Sequence, residues 1–375
     1  MVDPKRTPAG DQQLRLAVLH GGPSSEHDIS VITARGVIAA LRGGGHVVHS
    51  VYVDRDGRWH NSGTGGGAGV STAEGLDIPE ALAMLRGLYL DCAFLGFHGT
   101  YGEYGRIQAA LDLTGVPYSA SGVTATAVAM DKPMARYLLA AHGLTVAKAR
   151  HIATLELADR EHAERAAASI VADLGVPVVV KVPAGGSSVG IEIPQTEAEL
   201  IETLGRLREG VQTLLCEQFV HGVELTASVL ARRDGSLEAL PAVEIAPVGD
   251  RFFDYEAKYD PSLTNEIVPA RIPPAIEERV REIGLIAHNA LGCRGVSRTD
   301  LIWDRGGEDG GEQLVVLETN TLPGLTPASL LPKAALAVDC DYLELLHRII
   351  GASLRQPVVP TKQNSSAGKH LCSRS

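Results

Sequence analysis

The sequence predicts an α/β protein of two or three domains. Three observations lead there. The chain has 375 residues, more than one ordinary hydrophobic core organises. Over residues 14–99 short apolar runs alternate with amphipathic stretches, the pattern of a parallel sheet covered by helices. Hydrophobic residues make up 45% and charged residues 21%, the mix of a globular chain that buries several cores.

The elements follow in order. Residues 14–19 (LRLAVL) read as a short strand ending in Gly21-Gly22, and residues 29–41 as a helix with one apolar face. Residues 47–53 read as a second strand. Residues 61–75 are rich in Gly, Ser and Thr and read as a mobile loop. A helix over 81–87 and a buried strand over 88–95 lead to Gly96-Phe97-His98-Gly99. Ligands of such sheets sit beyond the carboxyl ends of the strands, where Gly21-Gly22 and His98-Gly99 both fall. A helix over 132–142 opens a second region, with helices over 161–174 and 196–209 and strands over 176–182, 189–193 and 214–220. A third region holds strands over 225–231 and 239–245, an irregular loop over 250–259 and a helix over 274–291. Strands over 297–303 and 313–319 flank a Gly/Asp turn, and a last helix covers 341–353. Residues 1–13 and the polar segment 356–375 read as disordered.

The net charge of −11 disfavours nucleic acid as a partner, because a phosphate backbone selects clustered basic surface. It leaves room for small anions, since a few placed Lys and Arg make a local positive site. No apolar run reaches the roughly 18 residues that span a bilayer, and the polar start carries no secretory pattern. The five cysteines (Cys92, Cys216, Cys293, Cys340, Cys372) are scattered and lack CxxC spacing, which predicts a reducing cytoplasmic setting without a zinc site.

Five segments carry candidate chemistry. In KVPAGGSSVG, residues 181–190, small residues let backbone N–H groups approach phosphate oxygens, and Lys181 at the end of a strand offers a point charge. It lacks the GxxxxGK[ST] spacing and leads into a strand, so it reads either as a lid-like hairpin tip over phosphates or as a plain turn beside a solvated lysine. Asp300 lies on one strand, and Glu318 and Asn320 share one face of the next, a hard-oxygen set suited to Mg²⁺. Solvated strand-end acids are the alternative, less favoured because both strands are apolar and an inward acid needs a partner. Arg298, two residues before Asp300, shares its face; it either neutralises charge at a reacting carboxyl group or makes an ordinary ion pair. The segment TLPGLTPASL, residues 321–330, must loop past these residues, so Ser329 and nearby N–H groups can bind a carboxylate, or the segment only connects. Glu217, before Gln218-Phe219-Val220, can accept from a ribose hydroxyl while the strand reads a base edge, or be a solvated acid. Phe252 and Phe253 can flank a base or pack in a core.

Together these segments resemble the D-alanine–D-alanine ligase family of the ATP-grasp superfamily. The resemblance runs from about Leu14 to Ser353 in unbroken order: GGPSSEHDIS at 21–30, HGTYGE at 98–103, MDK at 130–132, KVPAGGSSVG at 181–190, YEAKY at 255–259, RTD at 298–300 and ETNTLPGLTPASL at 318–330. It implies a three-domain ATP-grasp architecture. A parallel-sheet, Rossmann-like domain (14–128) would bind substrate. Two α+β domains, 129–224 and 225–355, would clasp ATP.

The implied reaction joins two D-alanines through an acyl phosphate, for peptidoglycan precursors, with ATP and two Mg²⁺ (or Mn²⁺) ions. Lys132, Lys181 and Lys258 would hold phosphates, with Ser188 on the same lid. Glu217, Phe219, Val220, Glu224 and Phe252 would surround ribose and adenine, Glu224 at the ribose. Asp300, Glu318 and Asn320 would hold the metals. Glu26 would receive the first ammonium, with His98 and Ser187 nearby, and Tyr259 would link Ser187 to Glu26 on closure. Arg298 and the N–H of Gly324 would form the oxyanion site, and Ser329 and Leu330 would fix the second carboxylate.

The implied partners are D-alanine and a second copy of the chain, with neither nucleic acid nor membrane. The chain departs from the family at Tyr104 (commonly Asp), Val182 (commonly Pro) and Ala120 (commonly Gly). Tyr104 bears on substrate identity, which keeps two rivals in view: a paralogue joining other amino acids, and an ATP-binding protein without turnover.

Overall fold

The computed structural model describes residues 12–72, 74–182, 190–247, 264–306 and 311–355. Three sheets follow one another along the chain. The first is built from β1 (Arg15–Gly21), α1 (His27–Gly43), β2 (Val47–Val53), β3 (Trp59–Asn61), α2 (Ile78–Gly87) and β4 (Cys92–Leu95), with strand order β3-β2-β1-β4. β2 and β4 run parallel to β1, and β3 is antiparallel at the edge. The continuous apolar run Leu16 to Leu19 is buried throughout, as a strand covered on both faces requires.

The structure corrects several expectations here. Helix α2 starts at Ile78, three residues before the expected 81, because Asp77 accepts from the Glu80 N–H while the Glu80 side chain accepts from the Asp77 N–H. The expected strand over 88–95 is confined to Cys92–Leu95; Leu88 ends α2, and Tyr89 turns the chain at φ 50°. The glycine-rich loop after β3 is tied down. The Gly69 N–H donates to His20 Nε2 (2.9 Å), the Thr72 N–H to His60 Nδ1 (3.1 Å), and Arg42 Nη2 donates to the Gly66 carbonyl (2.8 Å).

Helices α3 (Arg106–Thr114) and α4 (Val123–Met130) have no counterpart among the expected elements. The first lies between two left-handed glycines, Gly105 and Gly115. The second (VTATAVAM) has small and β-branched residues all round, so no helical stripe marks it.

Helix α5 (Lys132–Ala141) leads into the second sheet, made of β5 (Ala149–Ala153), β6 (Val178–Lys181), β7 (Ile191–Glu192) and β8 (Thr213–Gln218) in the order β5-β8-β6-β7, antiparallel throughout. Helices α6 (Arg160–Leu174) and α7 (Glu197–Leu207) bury Ile170, Leu200 and Leu204 against it.

The third sheet holds β9 (Val223–Ala231), β10 (Leu237–Ala239), β11 (Val243–Pro247), β12 (Thr264–Ile267), β13 (Val296–Asp304) and β14 (Gln313–Asn320) in the order β12-β11-β9-β13-β14, with β10 also on β9. The expected strand over 239–245 is broken in two. Pro241 lacks an N–H and cannot continue the ladder, so β10 and β11 pair separately with β9. Helix α8 (Pro274–Ala290) covers this sheet. Two C-terminal helices follow, α9 (Leu330–Leu336), which was not expected, and α10 (Tyr342–Leu354). Leu331, Leu346 and Ile350 share one core with Leu16, Leu19 and Phe94, so the end of the chain packs on the first sheet.

Candidate active site

The carboxyl ends of β1 and β4 form one side of the site. Ser30 of α1 clamps them: its Oγ accepts from the Gly21 N–H (2.8 Å) and donates to the Gly96 carbonyl (2.7 Å). Glu26, 4% exposed, precedes α1. His98 is buried beside it, with Nε2 2.9 Å from Thr33 Oγ1. Gly99 is left-handed at φ +69°, and a Cβ there would stand 2.6 Å from Glu26 Oε2, so only glycine allows this approach. The Gly99 N–H donates to Glu103 Oε1 at 3.0 Å. Two buried carboxyl groups thus flank one residue. Burial, with Glu26 close by, pushes the Glu103 carboxyl up to about 8. Burial pushes the His98 imidazole down against the pull of Glu26.

Strands β13 and β14 form the opposite side. A β-bulge after Asp300 decides their alignment: Leu301 pairs with Val316 but Asp300 pairs with Glu318, leaving Leu317 extra. An unbroken ladder would set Leu317 opposite Asp300 and Glu318 on the other face. Arg298 stands opposite Asn320 and donates through Nε and Nη2 to both oxygens of Asp300 (2.7 and 2.8 Å). Asn320 Nδ2 donates to Asp300 Oδ2 at 3.1 Å, and Lys132 Nζ donates to Glu318 Oε2 at 2.8 Å. Burial lowers the Lys132 ammonium, but Glu318, then Glu217 and Glu103, outweigh it, and the net shift is upward.

Among the described residues no three His, Cys, Asp or Glu side chains gather as a self-sufficient metal cage. Two carboxylates and an amide on paired strands fit a different arrangement, a hard cation held between protein and substrate oxygens. Arg298 and Lys132 already compensate those carboxylates.

Lys181 ends β6, and Glu217 of β8 lies beside it, 4% exposed. The Glu217 carboxylate is shared: Lys181 Nζ lies on Oε2, and Arg136 of α5 donates to Oε1. Burial raises this carboxyl, but Lys181 and Arg136 hold it below the usual range. Phe219 and Val220 follow β8, the Phe219 ring edge-on to His221 at 4.7 Å between centroids, and Glu224 lies on β9 opposite Ile302.

In the segment after β14, Ser329 Oγ accepts from the Thr326 N–H (3.1 Å) and lies 2.8 Å from Thr326 Oγ1. A Cβ on Gly324 would come within 2.9 Å of Ser329 Oγ, so glycine keeps that turn closed. The Leu330 side chain enters the core, leaving only its backbone to the site. Ser187, Ser188, Phe252, Lys258 and Tyr259 lie outside the described residues.

A sequence model described as the D-ala D-ala ligase N-terminus matches residues 15–121, and one described as the C-terminus matches residues 138–351. The chain belongs to the D-alanine–D-alanine ligase family. It is 39% identical over 348 residues to a D-alanine–D-alanine ligase of Desulfotalea psychrophila, covering 92% of this chain and 96% of the relative. It is 37% identical over 337 residues to one of Desulforudis audaxviator, covering 90% and 97%. A crystal structure of the Bacillus anthracis D-alanine–D-alanine ligase complexed with ATP superposes with a TM-score of 0.70 at 30% identity, over 92% of this chain and 98% of that one. Such coverage carries the ATP-grasp fold as well as the family.

The three departures from the ligase pattern have clear positions. Ala120 sits at φ 68°, and its carbonyl accepts from Arg294 Nε (2.7 Å). Tyr104 is half-buried, with the Arg106 guanidinium 5.6 Å from its ring centroid; burial raises its phenol, partly offset by Lys132. Val182 packs where a Cβ on Gly190 would meet it at 3.1 Å. Two side chains in this candidate site carry no role in the sequence reading. Glu103 belongs to a recognised motif, but its burial is invisible in one dimension. Arg136 bears only the spacing of four residues from Lys132, one helical turn.

Proposed function

We propose that this chain uses ATP to join two D-alanines, releasing ADP and phosphate. The observation that carries the reading is the charged seam between α5, β8 and the β13–β14 hairpin, where Lys132, Lys181 and Arg298 converge with Glu318, Glu217 and Asp300. The first D-alanine presents its ammonium to Glu26, and its carboxylate attacks the γ-phosphorus of ATP. An acyl phosphate forms and ADP leaves. Lys132 and Lys181 spread charge on the transferring phosphoryl group. The second D-alanine, its carboxylate at Ser329 and the Leu330 backbone, attacks the acyl carbon as a free amine. Arg298 and the Gly324 N–H stabilise the tetrahedral oxyanion, and phosphate departs as the amide forms.

Asp300, Glu318 and Asn320 would hold two Mg²⁺ or Mn²⁺ ions, which when bound neutralise phosphate charge. Ser187, Ser188, Lys258 and Tyr259 would complete the lid, and Phe219, Val220, Glu224 and Phe252 the nucleoside pocket. Divisions at 14–128, 129–224 and 225–355, a homodimer and a cytoplasmic setting complete the proposal. Among the described residues no helix is long and apolar enough to cross a membrane.

The deciding experiment measures ADP release with each of a panel of D- and L-amino acids, with products weighed by mass spectrometry. D-alanine should give the strongest release and D-alanyl-D-alanine as product. Release with another amino acid but none with D-alanine would reassign the substrate; no release with any would remove the ligase reading.

A further inference from the structure

Arg136 is a charged side chain inside the site that the mechanism above does not use. It lies on α5 one turn after Lys132, so both project from the same helix face. They diverge to different sheets: Lys132 reaches Glu318 of β14, while Arg136 reaches Glu217 of β8. The side chain of Arg136 is 11% exposed and that of Glu217 is 5% exposed. The second arm of the guanidinium donates to the Ala147 carbonyl, just before β5. That stretch is itself joined to β14, since the Val316 N–H donates to the Thr145 carbonyl at 2.8 Å. One guanidinium therefore ties the helix, the edge of the second sheet and the seam to the third.

We infer that Arg136 is a positioning residue of the nucleotide site, sharing Glu217 with Lys181 so that the lysine ammonium stays available to phosphate. The inference rests on the reading of Lys181 as a phosphate ligand. A buried carboxylate with one cation binds it tightly, because little solvent screens the pair. A carboxylate with two cations divides its pull between them. Without Arg136, the whole charge of Glu217 would fall on Lys181 and draw its ammonium away from an incoming phosphate.

The test compares wild type with Arg136→Ala, Arg136→Lys, Glu217→Gln and the double variant Arg136→Ala/Glu217→Gln, by steady-state kinetics, ATP calorimetry and thermal melting. Arg136→Ala should raise the KM for ATP by about tenfold or more while kcat and the KM for D-alanine move less than about threefold. Arg136→Lys should recover most of that loss, since an ammonium can still share Glu217. Because Arg136 acts through Glu217, the double variant should bind ATP no more weakly than Glu217→Gln alone. A lowered melting temperature with an unchanged KM for ATP, or additive losses in the double variant, would overturn the inference and leave Arg136 as packing. Wild type that bound no ATP in the calorimeter would instead overturn the nucleotide reading beneath it.

Discussion

Lys132 is paired with Glu318, Lys181 with Glu217 and Arg298 with Asp300, so among the described residues each cation that would meet a phosphate or an oxyanion already has a carboxylate beside it. Unpaired charges this buried would be costly, and the carboxylates compensate them until substrate charge arrives. Arg298 differs from the two lysines in offering a planar fork, both arms of which engage Asp300. Arg298→Ala is expected to lower kcat by about a hundredfold to a thousandfold, the usual loss for an oxyanion donor. Calorimetric ATP affinity should stay within about threefold. Equal losses in both would place Arg298 at the nucleotide instead. Ala120 offers a separate test: its left-handed backbone costs about 1–2 kcal/mol for a residue with a Cβ. Glycine there gives back about 0.5–1 kcal/mol in chain entropy. Ala120→Gly should therefore melt at or slightly above the wild-type temperature, and a clear drop would show that the Cβ packing outweighs the strain.

At the scale of elements, residue pattern and partner strand divide the work. Helix α10 could be placed from its sequence because Asp341 accepts from the Glu344 N–H (2.8 Å) and an apolar stripe follows. Helix α4 could not, since a stretch of alanine, valine and threonine looks alike from every side. The polar residue in α8 makes a testable contribution. His288 is 1% exposed, with Nδ1 2.7 Å from Ser297 Oγ of β13, and burial pushes its imidazole down to about 4. The folded chain then refuses a proton that the unfolded chain accepts. The stabilisation is complete above the ordinary value of 6.5 and is lost as pH falls from there toward about 4. The slope for one such group is about 1.4 kcal/mol per pH unit. His288→Asn, which keeps an acceptor for Ser297, should flatten the acid limb of a urea-melt series between pH 6.5 and pH 4. An unchanged limb would assign the acid sensitivity to His20, lowered to about 4 by burial in the first sheet.

For the whole molecule, the shared core is the decisive feature. Leu345, Leu346, Ile349 and Ile350 of α10 pack into the same cluster as Leu16 and Phe94, although they are the last described element of the chain. Leu346→Ala should destabilise the protein by about 2–5 kcal/mol through lost burial and a residual cavity. The two tryptophans allow a sharper reading, since Trp59 reports the first sheet and Trp303 the third. Single-tryptophan variants, Trp59→Phe and Trp303→Phe, should show coincident urea transitions that Leu346→Ala moves together. A shift seen only from Trp303 would mean that the first sheet unfolds independently of α10.

The residues alone determined the alternating strands and helices of the first sheet, the extent of β2, the ordered motifs that mark the ligase family and the face shared by Glu318 and Asn320. All of these are local: they depend on period, on small residues at strand ends and on spacing along the chain. The tertiary structure decided the rest. The bulge at Leu317 sets Glu318 opposite Asp300, Pro241 divides one expected strand into two, and α9 and α10 return to the first sheet. Glu103 became a buried acid and Arg136 a partner of Glu217 through contacts across distant parts of the chain. Burial and charge pairing belong to three dimensions, where desolvation and the nearest counter-charge set what a titratable group does.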